Sequence, residues 1–175
     1  DGLIAVSERW PELLDLAPKP LLYHGRNDGT EPMDDCPQRR LRGWKRLVLF
    51  ATCLKPQAVE QVWRRFPFRW RSGWEQDFAA ISRGGQLRVA PILEDLVFPR
   101  QRPLMAQWLR RCAQLPVRRL VPAHFDAPIA CTPEQLNALA YGWEQQDQPA
   151  AELQDRAFLR AFNRQVERFG LVPKP

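Results

Sequence analysis

Histidine is scarce in this sequence: His24 and His124 are the only two in 175 residues. Metal motifs that gather several imidazoles within a few positions, such as H-x-H-x-D-H, are therefore excluded within the chain. The four cysteines, Cys36, Cys53, Cys112 and Cys131, lie far apart and form no C-x-x-C pair. That excludes a zinc ribbon and a thioredoxin-type motif. Three of them sit in or beside apolar segments, the setting of buried reduced thiols in a reducing compartment. No P-loop, G-x-G-x-x-G or G-x-S-x-G occurs, which leaves nucleotide hydrolysis and serine-hydrolase chemistry without support. No apolar run approaches the roughly 20 residues that cross a bilayer. The longest, residues 47–54, is interrupted by Thr52. The chain opens Asp1-Gly2-Leu3-Ile4, with no basic leader and no Met, which points to a start inside a longer protein.

What is present is the material of one globular domain: 45% hydrophobic and 26% charged residues. The net charge is +6, and the excess is arginine rather than lysine. It favours phosphate, nucleic acid or a lipid surface as partner without choosing among them. The run Trp63-Arg64-Arg65-Phe66-Pro67-Phe68-Arg69-Trp70-Arg71 interleaves Arg with aromatic rings and holds no acid. Arg64, Arg65, Arg69 and Arg71 can neutralise phosphates while Trp63 and Trp70 stack, as single-stranded nucleic acid or a membrane interface requires. A structural loop with its rings packed inward has the same composition.

Seventeen prolines cut the chain into short segments. Residues 3–7 suit a short strand, 11–20 a turn-rich connection, 21–24 an extended stretch and 25–35 a polar loop. Pro37 suits the first turn of a helix that is polar at first and apolar all round at its end. Residues 59–65 suit a short helix, and 74–82 another with Trp74, Phe78 and Ile81 on one face, ended by Gly84-Gly85. Residues 87–93 read as a strand, shortened or placed at an edge by Pro91. Pro103 opens a helix with Leu104, Met105, Trp108, Leu109 and Cys112 as its apolar face. Leu120-Val121 is a short strand. Thr132-Pro133-Glu134-Gln135 is a capping box for a helix through Leu136, Leu139, Ala140 and Trp143. Residues 150–169 form a last helix with Leu153, Ala157, Phe158, Ala161, Phe162 and Phe169 on one face. The alternation is α/β, and strands are few for this length.

His124 stands where a strand ends, two residues before Asp126 and between Pro122 and Pro128. That suits a metal ligand or general base, and equally a structural histidine. His24 precedes a loop with Asp28, a second pocket candidate. Asp34 and Asp35 suit the N-terminus of the following helix.

Several segments together resemble a family known as domain of unknown function 4336, found in cyanobacteria and plastids. They are Leu21-Leu22-Tyr23-His24-Gly25-Arg26-Asn27-Asp28 with Glu31-Pro32, Arg42-Gly43-Trp44-Lys45-Arg46, Phe66-Pro67-Phe68-Arg69-Trp70 with Trp74, Val89-Ala90-Pro91-Ile92-Leu93, and Pro122-Ala123-His124-Phe125-Asp126-Ala127-Pro128-Ile129. That family is similar to a divergent branch of the metallo-β-lactamase-like superfamily. The resemblance implies a helix-rich α/β fold with a small sheet, the C-terminal half of an αββα sandwich. Residues 1–175 would then be one partial domain, with 34–82 a helical insertion and 150–169 a C-terminal helix. Asp1 resembles the bridging metal ligand after a strand, and His124 the last ligand histidine. The implied activity is that of a metal-dependent hydrolase with a degenerate site, in which metal-bound water attacks an ester, thioester or phosphodiester. Zinc or iron is the implied metal, expected to be absent from this chain. The implied partner is the missing N-terminal half. The implied location is a cyanobacterial cytoplasm or a plastid, at the membrane periphery. The alternative is a non-catalytic binding or scaffold protein that contacts anionic membrane or nucleic acid through residues 63–71.

Overall fold

The computed structural model describes residues 2–60, 67–145, 152 and 154–173. The fold is mixed and helix-rich, with two very small sheets. β1 (Leu3–Ile4) pairs antiparallel with β2 (Arg88–Val89), Leu3 opposite Val89 and Ile4 opposite Arg88. β3 (Arg119–Leu120) pairs antiparallel with β4 (Ile129–Ala130). Successive side chains of a strand point to opposite faces, so β1 feeds two cores. Leu3 packs with Val89, Ala106, Leu109, Leu136 and Trp143. Ile4 packs with Leu21, Trp44, Val48, Leu49, Phe78 and Ile81.

The first core rests on helices α2 (Lys19–His24), α3 (Pro37–Cys53) and α4 (Trp74–Ser82). α3 begins at Pro37 after an extended Cys36 and buries Val48, Leu49, Thr52 and Cys53 toward its end, as its sequence predicts. α2 crosses α3 in close contact: a Cβ on Gly43 would stand 1.8 Å from the Leu21 carbonyl oxygen. The second core rests on α5 (Arg102–Cys112) and α6 (Pro133–Gln145), which pack together. The capping box forms at α6: the Gln135 amide N–H donates to Thr132 Oγ1 at 3.3 Å, and the Thr132 N–H to Gln135 Oε1 at 2.9 Å.

α7 (Ala157–Arg168) closes the described chain. A network of charged groups anchors its N-terminal end. Arg156, fully buried, reaches Asp95 at 2.6 Å, Glu94 at 2.9 Å and Glu152 at 3.5 Å. Glu152, also fully buried, takes the fork of Arg88 at 2.9 and 2.7 Å and Arg83 Nε at 2.6 Å. Arg160 adds a contact to Asp95 at 3.5 Å. The network ties Glu152, Arg156 and Arg160 to β2 and to the π-helical turn at Leu93–Val97.

Several sequence expectations need correction. Residues 21–24 are helical, within α2, not extended. A four-residue helix, α1 (Leu13–Leu16), stands within the stretch expected to be turns. Val59 is no helix start: it forms an isolated antiparallel bridge with Trp70, and residues 61–65 lie outside the described residues. The apolar run 87–93 is a strand only at Arg88–Val89. Helical geometry resumes at Pro91, whose fixed φ suits a first turn. On α5 the buried residues are Ala106 and Leu109, while Leu104 and Trp108 face outward. On α7 the buried residues are Leu159 and Asn163, while Phe162 and Phe169 are exposed; Leu153 lies outside the described residues. All four cysteines are free, and burial pushes the Cys53 thiol up to about 12.

Candidate functional site

The loop between β3 and β4 carries His124. It is fastened to the segment that leaves β1. The Asp126 amide N–H donates to the Ala5 carbonyl at 3.1 Å, and Ser7 Oγ donates to Asp126 Oδ1 at 2.9 Å. Ser7 Oγ in turn accepts the Arg9 N–H at 3.1 Å. Phe125 holds a left-handed backbone at φ 67° and lays its ring 6.1 Å from Trp44. Trp44 Nε1 donates to the Ser7 carbonyl at 3.0 Å. The loop is thus set by backbone pairing on one side and aromatic packing on the other.

Between this loop and residues 7–12 lies a recess of about 710 Å3, lined by Ser7, Arg9, Trp10, Glu12, Phe125 and Asp126 with flanking prolines. Burial pushes the Asp126 carboxyl above the usual carboxylate range, against the pull of its bond from Ser7. His124 is exposed on the same loop, its ring 6.5 Å from Phe125, but it is not among the residues that line the recess. The recess therefore offers a hydroxyl, a carboxyl of raised proton affinity, a guanidinium and two aromatic faces.

The other sequence candidates fall elsewhere. His24 is half-buried at the end of α2, edge-on to Phe50 at 5.8 Å. Burial, then the nearby Arg46 charge, lower its pKa to about 4. Asp28 is exposed and turns back on its own loop, accepting from Thr30 N and Oγ1 and from Glu31 N. Those bonds hold its pKa below the usual carboxylate range. Asp35 serves α3 through the fork of Arg40, at 2.6 Å to each oxygen, not by capping its N-terminus. Asp1, Trp63, Arg64 and Arg65 lie outside the described residues. In the rest of the basic aromatic segment the rings turn inward. Phe68 packs on Phe50 at 4.9 Å, and Trp70 on Phe50 at 5.4 Å and Trp74 at 5.6 Å. Arg71 pairs with Asp77 at 3.4 Å, and Arg69 stands 3.9 Å from Glu60.

Sequence reasoning missed Arg46. It is buried at 2% exposure with its guanidinium 5.1 and 4.8 Å from the rings of Trp70 and Trp74. Nη1 donates to the carbonyls of His24 and Arg26, and Nη2 to Asn27 Oδ1. Burial brings its pKa down to about 10. A buried guanidinium on π faces explains why Trp70 is not a free stacking surface.

A catalytic zinc takes three protein ligands and one open position. Among the described residues no three of His, Cys, Asp and Glu gather, so those residues do not by themselves fit such a centre. No helix of the described residues is long and apolar enough to cross a membrane.

A family described as "Domain of unknown function (DUF4336)" matches residues 1–142. No curated protein and no solved structure matches the chain.

Proposed function

We infer that this chain, which belongs to the DUF4336 family, is a divergent metallo-β-lactamase-like protein that works by binding a small polar ligand in the recess beside His124. The observation that carries this reading is the construction of that recess. Its loop is pinned to the exit of β1 at two points, Asp126 to Ala5 and Asp126 to Ser7. A loop held so firmly presents a preformed surface, which lowers the ordering cost of binding. Trp10 and Phe125 provide flat apolar faces, and Asp126 and Ser7 provide directional polar groups. A ligand with hydroxyl or ammonium donors beside a flat face matches that set.

The second reading is the metal-dependent hydrolase. The position of His124, at a strand-end loop beside a pocket, favours it. His124 and Asp1 are the residues that would take part in holding a metal. Two experiments separate the readings. Elemental analysis of the longest natural form of the protein decides whether zinc or iron is held. Thermal-shift screening of sugars, polyols and amines then compares wild type with Asp126→Asn. The binding reading expects little metal and at least one compound that raises the wild-type Tm but not the variant's. A full equivalent of metal, lost on His124→Ala, transfers the site to the hydrolase reading.

A further inference from the structure

A second recess, of about 400 Å3, lies between β2 and α6, lined in part by Arg83, Leu87, Glu94, Gln135, Leu139 and Trp143. Arg83 is held rigidly at its edge. Its backbone is left-handed at φ 48°, and its Nε is fixed by the buried Glu152 at 2.6 Å. The Arg88 fork already uses both Glu152 oxygens. The terminal nitrogens of Arg83 have no acceptor among the described residues. Gln135 gives its carbonyl oxygen to the Thr132 N–H, which leaves its amide NH2 as a donor.

Gly142, on the same wall, gives an independent sign. It sits inside α6, where glycine costs roughly 1 kcal/mol against alanine. A Cβ there would meet nothing of the described residues within 4 Å, so no close approach among them requires glycine. What its missing side chain preserves is the open volume of the recess.

We propose that this recess binds a small monocarboxylate with an apolar body, its carboxylate on Arg83 and Gln135 and its body against Leu87, Leu139 and Trp143. A guanidinium fork matches two carboxylate oxygens. Glu94 on the same lining, ion-paired to Arg156 at 2.9 Å, disfavours a second negative charge on the ligand. That separates a carboxylate from inorganic phosphate.

The test is calorimetric titration of the whole chain with benzoate, hexanoate and inorganic phosphate, for wild type, Arg83→Gln and Gly142→Leu. Wild type binds at least one of the two carboxylates and shows no heat of binding with phosphate. Arg83→Gln weakens that binding by about tenfold or more, the scale of one charge-assisted contact. Gly142→Leu abolishes it while melting no lower than wild type, because it gains helix propensity and meets open space. The proposal is overturned if neither carboxylate binds below about 10 mM. It is also overturned if phosphate binds as tightly, or if Gly142→Leu binds as wild type does.

Discussion

Arg156 holds carboxylates from two parts of the chain in a place closed to water. Truncating it leaves Glu94, Asp95 and Glu152 buried without their shared cation. Breaking a buried pair from one side costs about 3–5 kcal/mol, against about 5–15 kcal/mol for a whole domain. Arg156→Ala is therefore expected to lower the unfolding free energy from denaturant titration by about 3–5 kcal/mol, whereas Arg69→Ala, at an exposed pair, changes it by no more than about 0.5 kcal/mol. Arginine was the least legible residue in the sequence. Charge counting sends it to the surface or to an anionic partner, yet Arg46, Arg88 and Arg156 are buried. Most of their partners are remote in sequence: the 24–27 loop for Arg46, Glu152 for Arg88, and Glu94 and Asp95 for Arg156. His24 gives a pH signature. Its folded pKa is about 4 against 6.5 unperturbed, so between those values the unfolded chain binds more protons. Its contribution is complete above pH 6.5 and is lost as pH falls toward 4. His24→Gln should flatten that part of the stability–pH curve relative to wild type; parallel curves would contradict the assignment.

Among the elements, α3, α4 and α6 follow from local signals: Pro37 at a first helical turn, the Trp74, Phe78 and Ile81 stripe, and the Thr132 capping box. α2 did not, because four apolar-rich residues carry no decisive period. It is fixed by its contact with α3, where Gly43 lets the backbones meet. Gly43→Ala tests this. Helix propensity alone would stabilise by roughly 1 kcal/mol, but the added methyl would stand 1.8 Å from the Leu21 carbonyl. Since overpacking costs about 1–3 kcal/mol and occasionally more, the variant is expected to melt lower; a higher Tm would refute the contact. α7 was misread for another reason. Its phenylalanines repeat at helical spacing, but the face that docks centres on Leu159 and Asn163. Asn163 Oδ1 accepts from Arg100 at 2.8 Å, and Glu167 shares that guanidinium at 2.6 Å.

Taken whole, the chain joins a family-matched region, residues 1–142, to a C-terminal segment outside that match. The two are interlocked. Glu152 neutralises Arg88, and Arg156 neutralises Asp95, across the boundary of the match. A chain ending at Gln145 would leave Arg88 and Asp95 buried without these partners, and we expect it to lose cooperative thermal unfolding. A sharp wild-type-like transition would show the segment to be an accessory. The α/β alternation and the scarcity of strands were legible in the punctuation of the chain, while its helix-rich character was implied by the family resemblance. The recess on the His124 loop was legible only in part: the sequence marked His124 and Asp126, but His124 does not line the recess, and Ser7 meets Asp126 through a hydrogen bond spanning 119 positions. The central claim is that this recess binds its ligand without a metal. It is tested most directly by zinc and iron content in purified wild type and His124→Ala. The account predicts less than about a tenth of an equivalent in both, because a recess that binds without a metal retains none with or without the imidazole. Near one equivalent in wild type, falling in His124→Ala, would contradict it.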